Sequence, residues 1–152
     1  MPTSSRFAIA VHVLTLLARF PGQPVKSEFL AESVNTNPVV IRRLLCSLAH
    51  SGLVASQTGA AGGTWLARAP EQISLWEIYR SVELGPLFAL HRQQPNQTCL
   101  VGSHIEEVLS NIQNEAESAL AKVLGQITVF DVAQAVGPCG MPESAEVFDV
   151  IL

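Results

Sequence analysis

A chain of 152 residues has room for one domain, or one domain with an oligomerising arm. Apolar residues are 48% of it and charged residues only 14%. That leaves ample surface to bury in a subunit interface, yet no apolar run reaches the roughly 18 residues of a membrane span. The net charge of −4 argues against a nucleic-acid binder until it is divided along the chain. The first seventy residues hold six basic groups (Arg6, Arg19, Lys26, Arg42, Arg43, Arg68) against Glu28 and Glu32, whereas residues 71–152 hold three basic and eleven acidic groups. The first part suits a polyanion and the second a different task. Cys46, Cys99 and Cys139 are odd in number, widely spaced and without a C-x-x-C pair, which fits a reducing cytoplasm better than a secreted disulfide scaffold.

The opening stretch resembles a signal peptide only superficially: it lacks a small-residue cleavage site and merges into the helices that follow. It reads as a helix over 5–19, with Phe7, Ala10, Val11, Leu14, Leu17 and Ala18 on one face and Ile9, Val13 and Leu16 on another, His12 among them. Apolar on both sides, it needs cover on both sides. The loop 20–24 ends it. A second helix is expected over 27–34 with Ser27 as N-cap. The tight connection Asn35-Thr36-Asn37-Pro38 then places a polar cap and a proline at the start of a third helix, 38–50. Ile41, Leu44, Leu45 and Leu48 form its inward stripe, and the opposite face carries Val39, Arg42, Arg43, Cys46 and His50. Gly52 stops it in a left-handed cap.

Two β-prone runs, Leu53-Val54-Ala55-Ser56 and Thr64-Trp65-Leu66-Ala67, flank the tip Gly59-Ala60-Ala61-Gly62-Gly63 and predict a hairpin. The tip lacks the lysine and serine of a phosphate-binding loop. Helix, helix, short turn, helix, hairpin is the order of a winged helix-turn-helix. The bare glycine tip would let the wing come close to a phosphate backbone.

Beyond the wing, Ser74 and Glu77 form the capping box of a helix over 74–84. A mixed polar loop at 85–97 leads to a long helix at 99–124. There Val101, Ile105, Val108, Ile112, Ala116, Ala119 and Val123 recur at steps of three and four. About 37 Å long, that helix exceeds what a small winged domain covers, so its seam is expected to meet a second copy. Thr128 and Asp131 cap a last helix, Val129 to Val136. The tail 137–152 is expected to be flexible, with Phe148, Val150, Ile151 and Leu152 available for docking. The division expected is a DNA-binding unit at 1–84, then loop, dimerisation helix and final helix at 85–136, then tail.

At this point the chain resembles the Rrf2 family of bacterial winged helix-turn-helix regulators, some of which bind iron–sulfur clusters. The matching residues are Arg6-Phe7-Ala8-Ile9, the run Ser51 to Ser56, the wing Gly59 to Arg68, Ile73-Ser74-Leu75-Trp76-Glu77-Ile78 and Ile127-Thr128-Val129. The resemblance covers residues 4 to about 136. It implies a mainly α fold with a small β-hairpin, and a cytoplasmic homodimer that binds double-stranded, pseudo-palindromic DNA, expected to act as a repressor. Two departures matter. Thr58 stands where the family's wing usually has an arginine, and Asn37, Val39 and Val40 replace the serines and tyrosine that usually begin the recognition helix. Cluster-binding members also carry three close cysteines before the long helix, and here only Cys99 lies there.

The expected DNA contacts are Asn37, Val39, Val40, Arg42, Arg43, Thr58, Gly59 and Gly62, and the expected dimer contacts Ile105, Val108, Ile112 and Ala119. Arg42 and Arg43 are weighed against plain solvated charges, and Cys46 as a packing residue against a thiol whose oxidation would block docking. His12, His91, Cys99 and His104 are a weak metal set set against helix-start and interface roles. One thiolate cannot hold a four-cysteine cluster, so no cofactor is expected. No Ser/His/Asp or paired-carboxylate constellation stands out, and no enzymatic activity or membrane partner is expected. The effector is open. A winged helix used only for protein interaction, and a metal or thiol sensor with non-standard ligands, remain the alternatives.

Overall fold

The computed structural model describes residues 4–138; Cys139 and the expectations for the tail beyond Pro138 fall outside the described residues. The elements in chain order are α1 (Arg6–Leu17), α2 (Ser27–Val34), α3 (Pro38–His50), β1 (Val54–Gln57), β2 (Gly63–Leu66), a 3₁₀ turn (Pro70–Gln72), α4 (Leu75–Val82), α5 (Leu100–Gly125) and α6 (Val129–Val136). The mainly helical architecture with one small hairpin follows the expected order.

Local chemistry accounts for most boundaries. Asn37 sits in an extended conformation and its side chain accepts the Val39 N–H at 2.8 Å, with Pro38 at the first helical position. Gly52 takes φ +73° just past α3, a conformation that costs a side-chain-bearing residue energy. Asn35, at φ +60°, ends α2 the same way. Ser74 with Glu77 and Thr128 with Asp131 both form complete capping boxes. Ser27 departs from expectation. The N-cap of α2 is Lys26, and Ser27 is its first helical residue, so its hydroxyl is free to meet side chains of α2 and α3.

One core joins these pieces. Ala10, Val13, Leu14 and Leu17 of α1 are buried against Leu30, Ile41, Leu48, Leu53, Ile78 and Val129. Each fully buried Leu or Ile contributes about 1.5–3 kcal/mol relative to exposure. The outer side of α1 is only partly covered: Ile9, Val11 and Leu16 are half-buried and His12 is exposed. The wing pairs Val54 with Leu66 and Gln57 with Gly63, antiparallel. Val25 adds a third, one-residue rung, exchanging backbone hydrogen bonds of 2.9 Å with Thr64 in both directions.

α4 packs on α1, α3 and α5, while α6 returns to α1 and the 3₁₀ turn. The return is fixed by Leu75 N–H to Ile127 and Val129 N–H to Ile73, at 2.8 and 2.9 Å. By contrast α5, 26 residues and about 39 Å long, has no buried residue along its length. Among the described residues no helix is long and apolar enough to cross a membrane.

Candidate nucleic-acid interface

The second helix of a helix-turn-helix reads DNA with its amino-terminal end, so that end must be held by its neighbours while its tip stays open. α3 meets both conditions. Its inward stripe Ile41, Leu44, Leu45 and Leu48 is buried, and Val39 and Val40 at its leading end are 45% and 44% exposed. These two valines leave apolar surface open to solvent at the start of a capped helix. Asn37 is exposed, but its side-chain oxygen is occupied by the cap, which leaves only its amide N–H groups as donors outward.

The two arginines, both expected on the outward face, lie on different flanks of α3. Arg42 turns toward α2: its Nη2 meets Glu28 Oε1 at 2.7 Å and its Nε donates to Ser27 Oγ at 3.3 Å. The backbone N–H of Glu28 and the Arg42 guanidinium together hold the Glu28 carboxyl below its ordinary value. Arg43 lies on the other flank, where it lines a cleft of about 330 Å³ with Arg6, Ile9, Val40 and Leu44. Neither Arg6 nor Arg43 makes an ion pair among the described residues, so this cleft carries two unneutralised guanidinium groups beside the exposed valines.

A groove of about 570 Å³ separates α3 from the wing. It is walled on one side by Arg42, Cys46 and Ala49 and on the other by Gln57, Thr58 and Gly59. Lys26 ties the wing tip down, donating to the carbonyls of Gly59 and Ala60 at 3.1 and 2.7 Å. The wing glycines have reasons internal to the fold. Gly59 adopts φ +98°, a Cβ on Gly62 would sit 2.0 Å from the Gln57 carbonyl oxygen, and one on Gly63 would sit 2.7 Å from Val25 N. Thr58 and Gly59 are exposed, and Gly62 is buried.

Lys26, Glu28 and Arg6 take part in this face and were not singled out from the sequence. Their partners stand 14 to 37 positions away, beyond the reach of any local pattern. A basic residue in the half-turn before α2 was the one available signal.

The remaining expected site residues do not converge. His12 Nε2 is 2.9 Å from Ser33 Oγ, and His104 Nδ1 lies 2.8 Å from Ser103 Oγ and 3.0 Å from the Leu100 carbonyl. His91 is exposed in the loop before α5. Cys99 is the exposed N-cap of α5, where the N–H groups of Gly102 and Val101 hold its thiol below the ordinary value. Cys46 is exposed on α3. Among the described residues no three His, Cys, Asp or Glu side chains come together. Of the expected dimer contacts, Val108 and Ile112 are 49% and 50% exposed, Ala119 is exposed and Ile105 half-buried.

The family model described as "Rrf2: Iron-dependent Transcriptional regulator" matches residues 3–135. The chain is 37% identical over 130 residues to a Bacillus subtilis protein named "Putative HTH-type transcriptional regulator YwnA", covering 85% of this chain and 95% of that one. Among solved structures, CymR (YrzC), the global cysteine regulator of B. subtilis, superposes with a TM-score of 0.64 at 24% identity over 89% of this chain and 98% of its own. T. potens IscR superposes with a TM-score of 0.66 at 23% identity, covering 95% and 94%. These two likenesses concern the fold. Among the described residues no group of three His, Cys, Asp or Glu side chains could hold the iron named in the family's description, and Cys139 lies outside them.

Proposed function

The chain belongs to the Rrf2 family of DNA-binding transcription regulators, and on that premise we propose that it is a cytoplasmic homodimer, without enzymatic activity, that represses transcription from a pseudo-palindromic operator. The observation that carries this reading is the open leading end of α3, where Val39, Val40 and Arg43 lie exposed beside the Arg6 cleft. Valine methyl groups suit thymine, and an unpaired arginine suits either guanine or a phosphate. Arg42 and Lys26 bound the groove to the wing, whose exposed backbone at Thr58 and Gly59 holds the DNA backbone and reads little sequence, while Gly62, buried with its N–H bonded to the Gly59 carbonyl, shapes the turn. Asn37 donates from its amide. DNA reading thus belongs to residues 1–84, and α5 in the segment 85–136 brings two such units together through Ile105, Val108, Ile112 and Ala119.

Selection of binding sites from random duplex DNA with the purified protein tests the reading. It should return an inverted repeat whose half-sites lie one helical turn, about 10 bp, or a multiple of it apart. Retention independent of sequence would contradict an operator reader, and no retention even at low salt would leave the winged helix as a protein-interaction module.

A further inference from the structure

α4 packs on both α3 and α5, so a group bound between α4 and α5 touches an element shared by the reading helix and the dimer helix. A cavity of about 310 Å³ lies there, lined by Trp76, Tyr79, Arg80 and Glu83 of α4 and its end, Leu84 to Pro86 of the following loop, and Glu117 of α5. Positions 76, 79, 80 and 83 fall on one face of α4 at steps of three and four. That face would ordinarily be apolar against a packed helix. Here it carries an aromatic wall and charges. Trp76 and Tyr79 stack with ring centres 5.6 Å apart, Tyr79 meets Phe7 of α1 edge-on at 5.5 Å, and the Arg80 guanidinium lies 5.7 Å over the Trp76 ring.

Charges of both signs line this cavity beside the aromatic wall. Arg80, Glu83 and Glu117 make no ion pair among the described residues, although all three line the same small space. Two carboxylates accept from an ammonium, one guanidinium donates to a carboxylate, and the indole with Leu84 takes an apolar side chain. The volume sits at the lower end for small-molecule sites and suffices for one amino acid.

We propose that the cavity between α4 and α5 is an effector site for a free α-amino acid, its carboxylate held by Arg80, its ammonium by Glu83 and Glu117, and its side chain by Trp76. The regulatory part of this proposal rests on the homodimeric DNA-binding reading above; the binding part does not. A ligand bridging α4 and α5 fixes the angle between them. In a dimer joined through α5, that angle sets the spacing of the two copies of α3, so ligand binding changes operator affinity.

Calorimetric titration of the full-length protein with each standard L-amino acid, up to the order of 1 mM, tests the binding part. Propionate and n-butylamine serve as single-charge controls. At least one amino acid should bind saturably, both controls should bind at least tenfold more weakly, and Arg80→Ala and Glu117→Gln should each weaken binding at least tenfold. The same amino acid should shift operator affinity at least fivefold in the wild type and not in Glu117→Gln, whose operator affinity without ligand stays that of the wild type. Saturable binding by no amino acid overturns the proposal, as does binding that both variants retain. Equal binding of n-butylamine overturns the assignment to an amino acid. Failure to bind any operator would count against the homodimeric DNA-binding reading and leave the calorimetric result standing on its own.

Discussion

Arg42 and Arg43 are neighbours in sequence with opposite circumstances. A step of one residue turns the side chain by about 100° around a helix, enough to place Arg42 against Glu28 and Arg43 beside Arg6. The Arg42–Glu28 pair is half exposed at both ends, so it contributes at most about 1 kcal/mol and opens readily to a phosphate. Its consequence is electrostatic, since Glu28 cancels one positive charge next to the wing groove. Replacing Glu28 with Gln should raise affinity for non-specific duplex DNA and steepen the dependence of log K on log salt by up to about 0.9, one phosphate's worth. A salt series by fluorescence anisotropy checks this, and an unchanged slope would show that Arg42 does not face DNA.

Glu77 is the other informative carboxylate. Partial burial pushes its proton affinity up, but the hydrogen bond from Arg68, the Ser74 N–H and the Arg68 charge outweigh that, and its carboxyl lies below the ordinary value. A lowered folded value means stability that is present above the ordinary carboxylate range and lost as pH falls through the folded value. Glu77→Gln should therefore unfold more easily than wild type near about pH 7, by about 0.5–1 kcal/mol after screening at this half-exposed site, and the gap should close toward about pH 3. Urea titrations at the two pH values measure it.

At the scale of the element, the wing is a hairpin whose glycines serve the hairpin itself. Gly62→Ala places a methyl carbon against the Gln57 carbonyl, which must move. The cost should be about 1–3 kcal/mol in thermal unfolding, whereas a neutral result would mean that the turn at 59–62 rearranges freely. The same hairpin marks the limit of what the sequence carries. Short β-prone runs around a glycine tip marked its strands, but nothing local announced that Val25 would add a rung to Thr64 or that Lys26 would hold the tip. The helices with polar caps were legible nearly to the residue: Asn37 with Pro38 at α3, and Thr128 with Asp131 at α6. Ser27 misled because serine is equally at home at the cap and one position after it, and the tertiary partner Arg42 decided between them. α1 was read two residues too long at its end, since an apolar helix without a terminal glycine or cap offers no stop signal there.

At the scale of the molecule, α1 to α4, the wing and α6 share a buried core, and α5 projects an apolar seam that the described residues leave half exposed. Exposed Val101, Val108, Ile112 and Val123 along about 39 Å of helix are what an α5-to-α5 interface requires. Ile112→Glu would bury an unpaired charge at that interface. It should yield a monomer by sedimentation or an insoluble protein, and a soluble dimer of wild-type stability would place the interface elsewhere.

Reading of DNA by the leading end of α3 is tested most directly at Arg43, which makes no ion pair among the described residues and sits outside the buried core. Titration of wild-type and Arg43→Ala protein into the selected operator and into a scrambled duplex, at matched salt, separates reading from attraction. Specific affinity should fall about 5- to 150-fold, corresponding to about 1–3 kcal/mol of lost discrimination, with a much smaller change on the scrambled duplex. Equal operator affinity for the two proteins would contradict the placement of this helix in the major groove.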